Sequence, residues 1–167
     1  MDIISHGLYG GALFGQKNKK SFWLSFILGM APDLIAFAPY FFLVVVGVLP
    51  RLQYATEPPY TPMPEFVHTL YNISHSLVIF VLLFLILWAI FRRPIWELLA
   101  WGLHILVDIP THSYEFFPTP FLWPFSSVAV DGHPWGTPEV FIPNIIALIL
   151  VFAWYFWRKR KNRSGAL

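Results

Sequence analysis

His6, Asp33, His75, His104 and Asp108 stand inside stretches that otherwise read as lipid-buried helix. An ionisable group in hydrocarbon costs a few kcal/mol or more, so it faces the bundle interior, takes a partner and serves a function. All five are imidazole or carboxylate, and none is lysine or arginine. That is the donor set of a hard-to-borderline divalent cation, zinc above all. His104 and Asp108 lie at i and i+4, one above the other on a helix face. Ser74 and Ser76 flank His75, and either hydroxyl can orient the imidazole or satisfy a neighbouring carbonyl. His112 would continue the His104–Asp108 row, but Pro110 is expected to end the helix first. His112 is then left in a loop from which it can bend back over the site. His133, in DGHPWG, reads as a turn residue or a late ligand, with the turn preferred. His68, beside Glu65, reads as interfacial.

Each of these residues has a plainer reading. A single histidine on an apolar face is more often a hydrogen-bonded core residue than a ligand. Asp33, following Pro32, could cap a helix over 34–49. Two aspartates without partners are too costly to bury as ornament, which keeps the metal reading ahead.

The elements that must position these residues follow from composition. Of 167 residues, 57% are hydrophobic and 12% charged, and the mean hydropathy is +0.60. A soluble domain carries roughly twice that charge fraction, so the chain reads as a single-domain integral membrane protein. Its isoelectric point near 9.0 comes mostly from Arg158, Lys159, Arg160, Lys161 and Arg163. A basic end of this kind anchors to anionic inner-leaflet lipids and is not a nucleic-acid surface. The absence of cysteine excludes disulfides and thiolate metal sites. MDIISHGLYGG has neither a basic leader nor a clean apolar core, so no cleaved signal peptide is expected.

Four apolar runs, 22–49, 66–91, 95–109 and 140–157, follow a weaker one over 2–15. The first would reach roughly 42 Å, too long for a hydrocarbon core of about 30 Å, so Pro32 and Pro39 are expected to break or kink it. Segment 95–109 would reach only roughly 22 Å and stop short of the far surface. Gly7, Gly11 and Gly15 form a four-residue row that admits a close neighbour. This predicts a short buried helix carrying His6 inward, the alternative being a mobile amphipathic terminus. Lys17, Lys19, Lys20, Arg92, Arg93 and the tail fall on one side when the spans alternate. The acidic loops 50–65 and 110–138, with Arg51 their one basic residue, fall on the other. The C-terminus is therefore expected to be cytoplasmic, in a multi-pass protein of the cell (inner) membrane.

The expected fold is an all-α polytopic bundle of about four spans plus a short N-terminal buried helix. Residues 1–157 would form the transmembrane domain and 158–167 a basic tail. The aromatic, proline-rich PTHSYEFFPTPFLWPFS would lie as an extracytoplasmic interfacial or re-entrant lid. Counting about 1.5 Å per residue from the basic turns puts Asp33 roughly 20 Å deep, Asp108 roughly 22 Å and His75 roughly 26 Å. His104 lies roughly 16 Å and His6 roughly 15 Å deep. The layer is shared, with His75 near Asp108 and His6 near Asp33.

HGLYGGAL, GMAPDL around Asp33, SHSL around His75, and LHILVDIPT followed by FLWPFS resemble the YdjM-like family (DUF457) of membrane-bound metal-dependent hydrolases over most of the chain. The family is similar to zinc-dependent phospholipase C and the P1-type nucleases, which are helical and use His/Asp zinc clusters. The resemblance implies that His6, Asp33, His75, His104 and Asp108 are the matching site positions. The chain departs from the family at Ile35, where a second acid is common, and at Tyr71 and Asn72, where His-Arg is common.

These readings converge on a metal-dependent hydrolase of a lipid phosphoester at the outer leaflet, phospholipase- or phosphodiesterase-like. His6, Asp33, His75, His104 and Asp108 would hold one or two Zn²⁺ ions, with His112 and His133 as possible additions. Asp33 or Asp108 would be the general base where not a ligand, and Arg51 the phosphate contact. A metal or proton transporter is one rival. A non-catalytic scaffold, with the polar layer locking the helices, is the other.

Overall fold

The computed structural model describes residues 1–51 and 63–164, with side chains to residue 161. The described part folds as α1 (Ile3–Phe14), α2 (Lys19–Val45), α3 (Glu65–Ser74), α4 (Leu77–Phe91), α5 (Leu99–Thr111) and α6 (Pro138–Ser164). A 3-10 turn, Trp96–Leu98, precedes α5. An isolated bridge between Ser113 and Phe116 is the nearest approach to sheet among these residues.

α1, α2 and α4 start where the sequence supplies a side-chain acceptor for the orphan amides of the first turn. Asp2 accepts from the Ser5 amide at 2.9 Å and its hydroxyl at 2.6 Å. Asn18 caps α2 through the Ser21 amide at 2.9 Å, and Ser76 caps α4 through Ile79 at 3.2 Å. α2 runs unbroken for 27 residues with Pro32 and Pro39 inside it, so the expected break does not occur. Membrane helices tolerate proline because neighbouring groups satisfy what it frees. Asp33 is consequently mid-helix, and its reading as a cap fails.

α2 and α6 are long and apolar enough to cross a membrane, and α3 with α4 makes a third crossing if the pair, bent by 58°, is one broken span. α5, at 13 residues, spans about 20 Å and does not reach across alone. Among the described residues, two to three candidate spans thus stand where the runs promised about four. α6 continues through Arg158–Lys161, so the basic cluster extends the last helix.

The interior is inverted relative to a soluble protein. Ser5, His6, Ser25, Asp33, His75, His104 and Asp108 are buried, while Val45, Ile90 and Ile149 are 83%, 66% and 63% exposed. An apolar exterior around a polar interior suits a lipid solvent. Phe80, Leu98 and Ile105, with Leu77, Phe84 and Trp101 against them, fill the bundle on the side of the site facing Arg92 and Arg93.

α1 is a buried helix laid against α2 and α5, not a mobile terminus. A Cβ on Gly10 would lie 2.5 Å from the Ser25 carbonyl oxygen, and one on Gly29 would lie 2.5 Å from that of His6. Gly7 and Gly11 meet the side chains of Met30, Phe26 and Phe22. α6 joins through α1, with the Tyr9 hydroxyl donating to Asn144 Oδ1 at 3.0 Å and Asn144 Nδ2 to Ser5 Oγ at 3.0 Å.

The basic residues share one end. Lys17 pairs with Glu97 at 3.2 Å, and the rings of Phe22 and Tyr155 lie 5.8 Å apart, setting the start of α2 beside the end of α6. At that end Glu97 also accepts from Ser21 Oγ at 2.7 Å. Burial pushes its carboxyl up, but the Ser21 hydroxyl, its own backbone and Lys17 outweigh that and leave it below the usual range.

Candidate metal centre

α2 brings Asp33, α5 brings His104 and Asp108, and the break between α3 and α4 brings His75. The break is a built feature. Inside a membrane every backbone polar group needs an internal partner, and here the loop after α5 supplies them. Leu77 N–H donates to the Phe121 carbonyl at 2.9 Å, and Ser76 Oγ donates to that of Trp123. Trp101 Nε1 donates to the Ser74 carbonyl at 2.8 Å, and the Tyr71 hydroxyl to that of Phe117 at 2.8 Å. PTPFLWPFS thus plugs the broken span and leaves His75 fully buried.

Asp33, His75, His104 and Asp108 are all buried and offer donor atoms within 4.8 Å of one another. His75 Nε2 lies 3.1 Å from His104 Nε2 and 3.5 Å from both Asp33 Oδ1 and Asp108 Oδ2. His104 Nε2 lies 3.7 Å from Asp33 Oδ1 and 3.1 Å from Asp108 Oδ2. A tetrahedral zinc site with bonds near 2.1 Å has ligand-to-ligand edges of roughly 3.4 Å. The five spacings bracket that value.

The tautomers favour the same interpretation. His104 Nδ1 lies 2.7 Å from the Gly29 carbonyl oxygen, and His75 Nδ1 lies 3.2 Å from that of Tyr71 and 3.0 Å from Ser74 Oγ. A carbonyl only accepts, so each Nδ1 carries the proton and each neutral ring turns an Nε2 lone pair inward. Two lone pairs then face each other at 3.1 Å beside two carboxylates. Asp108 Oδ2 is buried and accepts no hydrogen bond, although three ring nitrogens lie 3.1–3.7 Å away. Clustered acceptors without donors repel unless a cation sits among them. The residues present therefore fit a divalent metal, and a partner carbonyl behind each ligating imidazole is the usual supporting arrangement.

His6 stands outside this group. Its Nε2 meets the other Asp108 oxygen, Oδ1, at 2.9 Å, and its ring stacks on His104 at 3.6 Å. It therefore faces Asp108 and not Asp33. The α-amino group of Met1 also donates to Oδ1, and to Thr111 Oγ1 at 3.2 Å. α5 survives Pro110 by one residue, contrary to expectation. His112 follows in extended conformation and does turn back, its Nδ1 3.7 Å from Asp108 Oδ2. The imidazole is steadied by the Tyr71 hydroxyl at 3.3 Å. His133 is exposed and interacts with Glu139; its amide donates to the Pro110 carbonyl at 3.0 Å. His68 stacks on Phe117. Arg51 lines a cavity that Asp33 and His112 also line.

Two contributors escaped the sequence reading. Tyr71, counted there only as a departure from a motif, stacks on His75 at 3.8 Å and bonds to the loop. Gly29 presents the carbonyl that orients His104, a backbone role that no residue type announces. No family model matches the chain, and neither a curated protein nor a solved structure matches it.

Proposed function

We propose that this chain is a membrane-embedded, metal-dependent hydrolase of the YdjM-like kind. It would cleave a phosphoester of a lipid at the outer leaflet. The observation that carries the reading is the close set of Asp33 Oδ1, His75 Nε2, His104 Nε2 and Asp108 Oδ2, with acceptors facing acceptors and the Asp33 side partly open for a water. Zinc suits these donors best.

A bound divalent cation lowers the pKa of water to about 7 and polarises phosphoryl oxygens. The protein does the rest. Gly29 and Tyr71 carbonyls orient the two imidazoles through Nδ1 with Nε2 inward. His6 holds Asp108 Oδ1 by a hydrogen bond, leaving Oδ2 for the site. The Asp33 side chain keeps 12% of its surface open while Asp108 has none. Asp33 is therefore the carboxylate that water and substrate can meet, and it serves as general base through its free oxygen. His112 faces the same cavity and is placed to pass a proton to the leaving group. Arg51 is placed to hold a phosphate oxygen.

A transporter requires a path to both faces, whereas the Phe80–Leu98–Ile105 cluster fills the basic side of the site. A scaffold would pair its polar groups donor to acceptor, and Asp108 Oδ2 is not so paired. The basic end suits anionic inner-leaflet lipids, which supports a cytoplasmic C-terminus in the cell (inner) membrane.

The test is phospholipid cleavage by protein purified in detergent, before and after chelation, with zinc restored. Chelator-sensitive release that zinc restores, and that Asp33→Asn lowers by about 100-fold or more, is expected. Equal release with and without chelator contradicts the proposal.

A further inference from the structure

Beside the metal group a cavity of about 830 Å³ opens along the second half of α2. Its size is that of a small-molecule site. Apart from Asp2, Asp33, Arg51 and His112, the lining side chains are aliphatic and aromatic. Asp33 and Val45 lie twelve positions apart on one unbroken helix, so this wall is about 18 Å long. Leu34, Phe37, Phe41 and Val44 form it, with Ala38 the smallest residue lining the hollow. Phe41 and Val45 are also open to the bilayer side, at 57% and 83% exposure. The Tyr40 hydroxyl donates to the Pro50 carbonyl at 3.0 Å. That bond folds the chain back after α2 and sets Arg51 beside Tyr40, seven residues and about 10 Å above Asp33.

The cavity therefore has Asp33 of the metal group and His112 at its polar end, Arg51 on its flank, and an apolar wall open to lipid. We propose that it holds a membrane phospholipid entering sideways from the bilayer. The phosphate lies between Arg51 and the metal group, and one acyl chain lies along Leu34, Phe37, Phe41 and Val44. Charge selects the phosphate, since Arg51 and a bound cation are both positive. The wall selects the chain by burying its apolar surface. Ala38 provides the depth that a chain needs. The placement of the phosphate rests on the metal reading above; the placement of the chain does not.

The experiment is photo-crosslinking in nanodiscs, using phosphatidylglycerol with a diazirine in one acyl chain and, separately, a diacylglycerol with the same chain. Adduct positions and metal content are measured for wild type, Ala38→Trp, Arg51→Gln and His104→Ala. Adducts on Phe37, Phe41 and Val44 are expected, falling about tenfold in Ala38→Trp while metal content stays. Val44→Trp, further from the buried group, replaces Ala38→Trp if that variant loses its metal through misfolding. Arg51→Gln should bring phospholipid labelling down to the diacylglycerol level. His104→Ala should lose metal and keep the chain adducts, so failure of the metal reading is seen apart from failure of the groove. Labelling spread evenly over Ile149 and Leu150 of α6, and unchanged by both tryptophans, overturns the proposal.

Discussion

His104 is held at Nδ1 by the Gly29 carbonyl, which turns Nε2 towards His75 Nε2 and Asp108 Oδ2. Affinity for metal should therefore depend on the ligands steeply and on their supports mildly. Asp108→Asn keeps the shape and removes the charge, and should weaken zinc binding by at least about 100-fold, measured by competition with a chromophoric chelator. Ser74→Ala leaves the Tyr71 carbonyl to hold His75 and should cost only about tenfold. Glu97 tests a different residue-scale statement. Its carboxyl is depressed from 4.5 by Ser21, its own backbone and Lys17, against the opposing effect of burial. A depressed folded pKa contributes stability above the unfolded value and loses it as pH falls through the folded one. Glu97→Gln should thus lower thermal stability near pH 7 by about 1.5 kcal/mol, and the difference should shrink as pH falls through the depressed carboxyl pKa. A pH-independent difference would contradict the assigned cause. Asp33, His75, His104 and Asp108 were legible as a group because a charge in an apolar run has few reasons to be there. The pairing of His6 with Asp108 instead of Asp33 was not, since rotation about a helix axis leaves no mark on spacing.

At the scale of elements, the departures share a cause. Pro32 and Pro39 were expected to break or kink α2 and do not break it, and Pro110 was expected to end α5 and is passed by one residue, while the apolar run 66–91, with no proline or glycine inside it, breaks at His75–Ser76. Local propensity governs where a segment is exposed to water; here distant groups decide. The carbonyls of Phe121 and Trp123 and the indole of Trp101 satisfy the break, and their partners lie 27 to 47 residues away. The flanking pair Ser74 and Ser76 was the visible sign. Ser76→Ala removes both the cap of α4 and the tie to Trp123. It should cost about 1–2 kcal/mol and hasten proteolysis between residues 112 and 137. The glycine row makes a sharper comparison. A methyl on Gly10 meets backbone at 2.5 Å and the Ala100 methyl at 2.9 Å, whereas one on Gly11 meets the edge of the Phe22 ring. Gly10→Ala should lower the melting temperature by the equivalent of about 2 kcal/mol or more, and Gly11→Ala by clearly less. Equal effects would mean that α1 does not lie against α2 as described.

Across the whole molecule, the buried polar cluster draws on two short helices and the middle of a long one. α1 and α5 stop partway, and each delivers site residues there, while α2 passes beside both and contributes Asp33 from its middle. The two-to-three-span architecture was partly visible in the sequence, because segments 2–15 and 95–109 were too short to cross. Basic residues at one end and the open cavity towards the other give the molecule its polarity. The most direct test of a shared cation is X-ray absorption at the zinc edge, on protein purified in detergent with its metal retained. A shell of four to five nitrogen and oxygen scatterers at about 2.0–2.2 Å, with the outer-shell pattern of two imidazoles, is the predicted result. A protein that retains no metal, or a six-coordinate shell without imidazole, would contradict it.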